Sequence, residues 1–487
     1  MNLQKVTALS DALDRLAKAR LVGLLVLRGA SMKTVCILAS GQGSRLWPYA
    51  TIRPKAMTPV GAVPLVKHTV NSLIKLGFDR IVITANQLTS QIAGCFLDDP
   101  QVEVIDTGFN QGSAQTLLQV MERLGRERFM VLYGDTLYDP EILDAYYSFA
   151  AQSDLSVLCA ELEPETTGEQ ICLNLTGDGC LGEVSGHPRG GYRYKFAGFI
   201  LDGRISKYLA GNPGYFSQVE VGVMSPLEHF LELSVYALSK RSAIRALPCQ
   251  ASQAVDIDKP WQILCANTAY VQRTCAQLDR NILEEGSSIC ESAKIDGFIR
   301  LGKNSRIGHH VIIKGNVIVA DNTTIENGAL LLGNNIIGSN TYLANYCYID
   351  SGTVIGNGCV VNHCAEMEGV LFDGVYLYHY MEIYGIIGEH TDIGAATVCG
   401  SLRFDDGETL HTIKGRKERP AHFANATYIG DFCRTGVNVI IAPGKRIGCY
   451  SVLGAGTILD RDVPDNTLLY PRQELVEKTW GPQRYGW

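Results

Sequence analysis

Two periods of hydrophobic residues divide this chain. From Met32 to about Asn267, short apolar runs alternate with stretches patterned as helix. "KTVCILAS", "DRIVITAN" and "RFMVLYGD" are continuous enough to predict buried strands, and "PLVKHTVNSLIKLG" places Val66, Val70, Leu73 and Ile74 at helical spacing. Strand, helix, strand in this order predicts an α/β Rossmann-like domain with a mainly parallel sheet. Ligands of such sheets sit at the carboxyl ends of the strands, where "ASGQG" and "YGD" fall.

After about Asp279 the period becomes six. Aliphatic residues stand at Ile289, Ile295, Leu301, Ile307, Ile313, Val319, Ile325, Leu331, Ile337, Leu343, Ile349, Ile355 and Val361 without a miss. Period six is neither a helix nor a flat strand. It predicts a solenoid in which each hexapeptide is one side of a three-sided coil and its aliphatic residue points inward. The Gly and Asn residues between suit tight corners. The register breaks around Phe372 to Tyr380, resumes at Ile387 and Ile393, and returns at Ile429, Thr435, Ile441, Ile447, Leu453 and Leu459. The polar stretch "RFDDGETLHTIKGRKERPAHFANA" reads as a loop thrown out of the coil. The expected organisation is an extension 1–31, an α/β domain 32–270, a linker 271–285, a coil 286–470 with an excursion loop 402–427, and a tail 471–487.

Composition narrows the function. With 46% hydrophobic and 19% charged residues and a net charge of −7, the chain reads as globular and not as a nucleic-acid binder. Fifteen scattered cysteines without a CxxC pair predict reduced, mostly buried thiols in a cytoplasmic protein. No stretch reaches the roughly 20 apolar residues of a membrane span. The short run "LVGLLVL", Leu21 to Leu27, is read as an added helix, or as sequence upstream of a functional Met32, in preference to a signal peptide.

An acidic protein that handles anions must build its site locally. In "ILASGQGSRLWPYATIRPKAMTPVG", Ile37 to Gly61, a strand runs into Gly41 and Gly43, whose backbone can approach a phosphate without Cβ obstruction. Arg45 and Lys55 add two cations. The stretch lacks the Gly-Lys-Ser/Thr of a P-loop and the third glycine of a dinucleotide fold. Each element alone is a common surface feature; together they predict a polyphosphate site.

The stretch "LASGQGSRLWPYATIRPKAMTPVG" resembles the signature of the sugar-1-phosphate nucleotidyltransferases, L-x-x-G-x-G-x-R-L-x-P followed by P-K, and the likeness continues to about Asn267. The resemblance implies that Leu38, Ala39, Gly41, Gly43, Gln87, Gly112 and Ser113 bind the nucleotide, the last two within "GSAQT". It implies that Gly134, Ala197 and Gly198 line the sugar pocket, that Asp135 of "YGD" and Asp256 of "VDIDKPWQILCAN" hold Mg²⁺, and that Arg45 and Lys55 hold the triphosphate. The chain departs from the family's Glu-Lys-Pro, reading "SGHP" at Ser185 to Pro188, and carries Asp258 where glycine is frequent.

The coil resembles the left-handed parallel β-helix of the hexapeptide acyltransferases. The domain order, with "IIGEHTDIGAATVCGSLRFDDGE" and "IAPGKRIG", is similar to archaeal-type bifunctional enzymes that join nucleotidyl transfer to amino-sugar-1-phosphate acetylation. The resemblance implies acetyl-CoA as co-substrate, His379 of "YHY" as general base, and a homotrimer. Against it, Ser401 replaces an asparagine, "FANAT" replaces a basic segment, and a plain core or surface histidine is the alternative for His379. The expected activity is Mg²⁺-dependent transfer of a nucleotidyl group from an NTP to a sugar-1-phosphate, with a possible acetyltransferase in the coil. The alternatives are a nucleotidyltransferase for a non-sugar phosphate or phosphonate, and a catalytically silent regulatory subunit. The expected partners are the NTP, the sugar-1-phosphate and further copies of the chain, with neither nucleic acid nor membrane. The nucleobase stays open between uridine or thymidine, which "GSAQT" favours, and guanosine, which Trp47 favours.

Overall fold

The computed structural model describes residues 32–482 apart from 87, 109, 163–167, 218, 220–223 and 225, so the expected N-terminal helix and Gln87 lie outside the described residues. The chain forms two compact units. The first holds 32–42, Arg53–Met57 and Pro64–Asp256; the second holds Gly43–Ile52, Thr58–Val63 and 257–482.

The first unit is built on a nine-stranded sheet. Its parallel centre contains β1 (Thr34–Leu38), β2 (Arg80–Ala85), β3 (Val102–Asp106) and, beyond the helix α1 (Ser113–Leu124), β4 (Phe129–Tyr133). β1 pairs in parallel with β2 and β4, and β2 with β3. These strands carry the three apolar runs named above, and Val35, Cys36, Ile37, Ile81, Val82 and Val131 are fully buried, as strands covered on both faces require. The rest departs from a parallel sheet. After the short strand β5 (Thr136–Tyr138), β6 (Tyr194–Leu201) returns antiparallel to β4. The strand ends that matter for function meet at Leu38 and Tyr133, which are paired partners. Gly134 N–H donates to the Leu38 carbonyl at 2.8 Å, and a Cβ at Gly134 would stand 2.7 Å from the Ala39 Cβ, so only glycine allows this approach.

The second unit is a coil of parallel strands. Leu301, Val319, Ile337 and Ile355 stack in register at 18-residue spacing, as do Ile307, Ile325, Leu343 and Val361, and Ile313, Leu331 and Ile349. Of the thirteen aliphatic positions, the eleven from Leu301 to Val361 are buried, and Ile289 and Ile295 at the open end are half-buried. This is the left-handed β-helix expected.

The register break has a definite origin. Ile355 pairs with Leu371 and Leu371 with Ile387, so two successive coils contain 16 residues and not 18. Glu366–Leu371 and Glu382–Ile387 run as continuous strands through what is elsewhere a corner. Gly369 and Gly385 make this possible: a Cβ on Gly369 would lie 2.1 Å from the Gly385 carbonyl oxygen, and one on Gly385 would lie 1.9 Å from that of Thr427. After Ile387 the register resumes at Ile429. The inserted stretch between them carries an antiparallel hairpin, His411–Ile413 against Arg416–Glu418, turned by Lys414 and Gly415 at positive φ.

Besides Thr58–Val63, two segments before the coil belong to this unit. Gly43–Ile52 is one, and the helix α2 (Pro260–Ala276), which follows the strand β7 (Ala254–Asp256), is the other. They cover a face of the coil whose outward residues Ile336, Val354, Val370, Ile386 and Tyr428 are all buried. Among the described residues no helix is long and apolar enough to cross a membrane.

Candidate active site

In the first unit, β1 delivers Leu38 and Ala39 to the sheet's carboxyl edge, both buried, with Ala39 N–H donating to the Thr84 carbonyl at 3.1 Å. Gly41 follows, and a Cβ there would meet nothing within 4 Å, so the glycine faces open space at the strand mouth. Gly112 sits at the start of α1 with φ of 117°, where a Cβ would stand 2.5 Å from the His229 carbonyl oxygen. The Ser113 hydroxyl beside it accepts from Leu231 N–H at 2.9 Å. Ala197 and Gly198 lie within β6; the Ala197 carbonyl accepts from the Tyr138 hydroxyl at 2.6 Å, and Gly198 pairs with Leu132.

The charged residues form two pairs. Lys55, in a single 3-10 turn behind Pro54, is buried and sits 2.6 Å from Asp135. β5 and β7 pair antiparallel with Asp256 opposite Thr136, which places Asp256 on the strand beside the residue that follows Asp135. Asp256 lies 4.0 Å from Lys195 Nζ and accepts from Gln170 Nε2 at 3.5 Å. Tyr138 reports on both acids: burial pushes its phenol up, and Asp135 and Asp256 each add to that shift. Two lysines thus balance two carboxylates.

These carboxylates suit Mg²⁺. The ion takes hard oxygen donors and keeps several waters, so two aspartates, Asp135 in the turn before β5 and Asp256 at the end of β7, are a sufficient protein contribution. Among the described residues no group of three or more His, Cys, Asp and Glu is arranged to hold a metal. Behind the site, Tyr133 donates to Glu232 at 2.5 Å, and burial holds the Glu232 carboxyl above its ordinary range.

In the second unit, Gly43 has φ of 65° and its carbonyl accepts from Leu46 N–H at 2.8 Å. Arg45 pairs with Asp258 at 2.9 Å, so the aspartate found where glycine is frequent holds the arginine of the signature. Farther along the coil, the His379 ring stacks on His363 with centroids 4.9 Å apart, and the Tyr380 ring meets both edge-on. His379 is half-buried and His363 exposed. All fifteen cysteines are unpaired, and burial pushes the Cys347 and Cys359 thiols up to about 12, away from nucleophilic use.

Sequence reasoning missed Lys195 and Gln170. The signal for Lys195 was present: alternation along β6 puts it on the same face as Ala197. Gln170 carried none. In "SGHP", a Cβ on Gly186 would stand 2.9 Å from the Phe216 ring, and His187, at φ of 55°, meets the Phe230 ring edge at 6.3 Å. Aromatic packing occupies the place of the family's Glu-Lys.

A glycine-bearing strand mouth, a lysine and two strand-end carboxylates define an α/β nucleotidyltransferase. Residues 35–278 match the family model of the MobA-like NTP transferase domain, half of the chain, and the chain belongs to that family. It is 27% identical over 442 residues to "Bifunctional protein GlmU" of Methanococcus maripaludis, covering 90% of this chain and 98% of that protein. It is 23% identical over 430 residues to "Bifunctional sugar-1-phosphate nucleotidylyltransferase/acetyltransferase" of Sulfurisphaera tokodaii, covering 88% and 97%. A crystal structure of UDP-glucose pyrophosphorylase complexed with UDP-glucose superposes with a TM-score of 0.44 and 17% identity, over 50% of this chain and 99% of that one.

Proposed function

We propose that this chain transfers a nucleotidyl group from an NTP to a sugar-1-phosphate and releases pyrophosphate. The observation that carries the reading is the Lys55–Asp135 pair at the mouth of the parallel strands, with Asp256 on the adjoining strand. An oxygen of the acceptor phosphate attacks the α-phosphorus, and the bond from that phosphorus to the bridging oxygen breaks, its electrons leaving with pyrophosphate. The attacking oxygen is already ionised, so no general base is required. The protein's task is to align two anions and neutralise the charge that builds on the leaving group. On the resemblance, Arg45 and Lys55 are the residues for the triphosphate and Gly41 and Gly43 the glycines that open the backbone to it, and within the first unit Gly112 and Ser113 hold the base and ribose. Lys195 meets the acceptor phosphate in place of the lysine that "SGHP" lacks. Asp135 and Asp256 would hold Mg²⁺, which when bound would supply charge neutralisation at the phosphates. Gly134, Ala197 and Gly198 border the acceptor.

The absence of the family's Glu-Lys favours, as a second reading, a phosphorylated acceptor other than a hexose. One assay separates the two. Purified protein with Mg²⁺, each NTP and a panel of sugar-1-phosphates and non-sugar phosphates should release pyrophosphate with at least one sugar-1-phosphate. Release only with a non-sugar phosphate supports the second reading, and release with none rejects both.

For the coil we propose acetyl transfer from acetyl-CoA to an amino-sugar phosphate, with His379 as the base. The amine nitrogen forms the new bond to the thioester carbonyl carbon, the C–S bond breaks, CoA leaves as the thiol, and the amine proton passes through His379. The Sulfurisphaera tokodaii relative, matched over 88% of this chain, carries both activities in its name, the Methanococcus maripaludis relative is named bifunctional, and the His379 ring stacks on His363. Thiol release with glucosamine-1-phosphate that persists in His379→Ala rejects this base. A trimer is proposed on the exposed Ile312, Ile440 and Ile458 of one coil face, and a reducing cytoplasmic setting on the free thiols.

A further inference from the structure

The hairpin His411–Glu418 falls in what reads in the sequence as a polar loop, whose Lys414, Arg416 and Lys417 are equally explained as an anion site or as solvated side chains. The tip is exposed, but the base of the hairpin is tied into a closed ring of contacts within the second unit. Glu418 forms an ion pair with Lys259, the side chains being 10% and 4% exposed. The His411 ring packs on Trp261 with centroids 5.1 Å apart, and its Nε2 bonds the Ala424 carbonyl at 2.8 Å. The Thr412 carbonyl accepts from Arg446 at 3.0 Å. Arg446 is paired with Asp462 at 2.6 Å, and its guanidinium lies 5.1 Å from the centre of the Trp47 ring.

Trp47 belongs to the signature stretch, and its indole N–H donates to Asp465 at 3.0 Å. Thr51 donates to the same carboxylate at 3.3 Å. Tyr49 between them is fully buried, donating to the Ile386 carbonyl at 3.0 Å and packing on Phe372. The ring closes at its other end, because Lys259 follows Asp258, Asp258 holds Arg45, and Arg45 stands two residues before Trp47. The Lys259–Glu418 pair and the Tyr49 hydroxyl are buried, the hydrogen bonds of Trp47 and Arg446 are partly so, and Arg45 at the end of the ring is exposed, so the ring is anchored from its inner members.

We infer that the hairpin His411–Glu418 is a clasp that positions the signature segment Gly43–Ile52 within the second unit. Glu418, His411 and Arg446 are positioning residues in this role: they act on Arg45 through Lys259, Asp258 and Trp47. The inference rests on the nucleotidyltransferase reading for its functional consequence and on the contacts alone for the clasp.

Two readouts on the full chain keep these apart. The first is hydrogen exchange over 43–52. In Glu418→Ala this segment should lose protection while the coil strands 301–361 keep theirs. The second is steady-state kinetics. Glu418→Ala should raise KM for the NTP roughly tenfold and change kcat less than about twofold, the split expected when a binding group is misplaced before chemistry. Glu418→Asp, which keeps the charge, should recover most of the KM. Trp47→Phe, which removes only the indole donor and keeps an aromatic ring, should shift both readouts in the same direction even if Glu418→Ala fails to fold. Unchanged exchange over 43–52 in folded Glu418→Ala and Trp47→Phe overturns the clasp, as does a fall in kcat at unchanged KM. A wild-type protein with a protected 43–52 that transfers no nucleotide refutes the activity and leaves the clasp standing.

Discussion

Lys55 Nζ lies 2.6 Å from Asp135 Oδ2, and only a tenth of the lysine side chain is exposed. A lysine buried this far needs an anionic partner, which the carboxylate supplies. Lys55→Met should therefore lower kcat/KM for the NTP by about 100-fold or more, the scale for removing one charge-stabilising donor. Circular dichroism should show an intact fold, and turnover near the wild-type level would remove Lys55 from the site.

Lys195 gives a separable prediction. It faces Asp256 at 4.0 Å and is assigned to the acceptor phosphate and not to the nucleotide. Lys195→Ala should raise KM for the sugar-1-phosphate by roughly tenfold, consistent with loss of one charge-assisted contact, and leave KM for the NTP near its wild-type value. An equal change in both constants would argue for a general distortion of the edge.

The coil can be tested at its shortened corner. Gly385→Ala combines a φ of 137° with a Cβ placed 1.9 Å from the Thr427 carbonyl oxygen. It should destabilise the protein by roughly 2 kcal/mol or more in denaturant unfolding. Gly358→Ala, at a corner with φ of 64° and nothing within 4 Å, carries the backbone cost alone, about 1 kcal/mol. Equal losses at the two positions would contradict the stacked-glycine account of the 16-residue coils.

His411 predicts an acid limit. Burial holds its imidazole below the ordinary value; the Ala424 carbonyl opposes this, Arg446 and Lys445 lower it further, and Asp462 opposes. A histidine whose folded pKa is depressed contributes stability above its unfolded value of about 6.5, and that contribution is lost as pH falls toward the folded value. The unfolding midpoint should thus drop between pH 7.5 and 5.5, and His411→Gln should flatten the drop. A wild-type midpoint that stays level over this interval would show that the ring is not held neutral.

Much of this architecture was legible in the chain. The strand Thr34–Leu38 and the stacked aliphatics from Leu301 to Val361 follow from burial patterns of period one and six, which depend on local repetition alone. The 16-residue coils were legible only as a break, because the two-residue deletion falls at a corner whose glycines look like any others. The clasp was not legible. Trp47 and Asp465 are 418 residues apart, and no local pattern marks a tryptophan as the partner of a distant aspartate. The same holds for Lys259 with Glu418 and for Lys195 with Asp256: the residue types were visible, their pairing was a property of the fold.

The most direct measurement follows a radiolabelled α-phosphorus. With Mg²⁺, an α-labelled NTP and a sugar-1-phosphate, the label should appear in an NDP-sugar in a one-to-one ratio with pyrophosphate, and Asp135→Asn, Asp256→Asn and Lys55→Met should each abolish most of that product. Label found only in free nucleotide, or product formed equally well by these variants, would contradict the assignment of the two carboxylates and the lysine to the transfer of the nucleotidyl group.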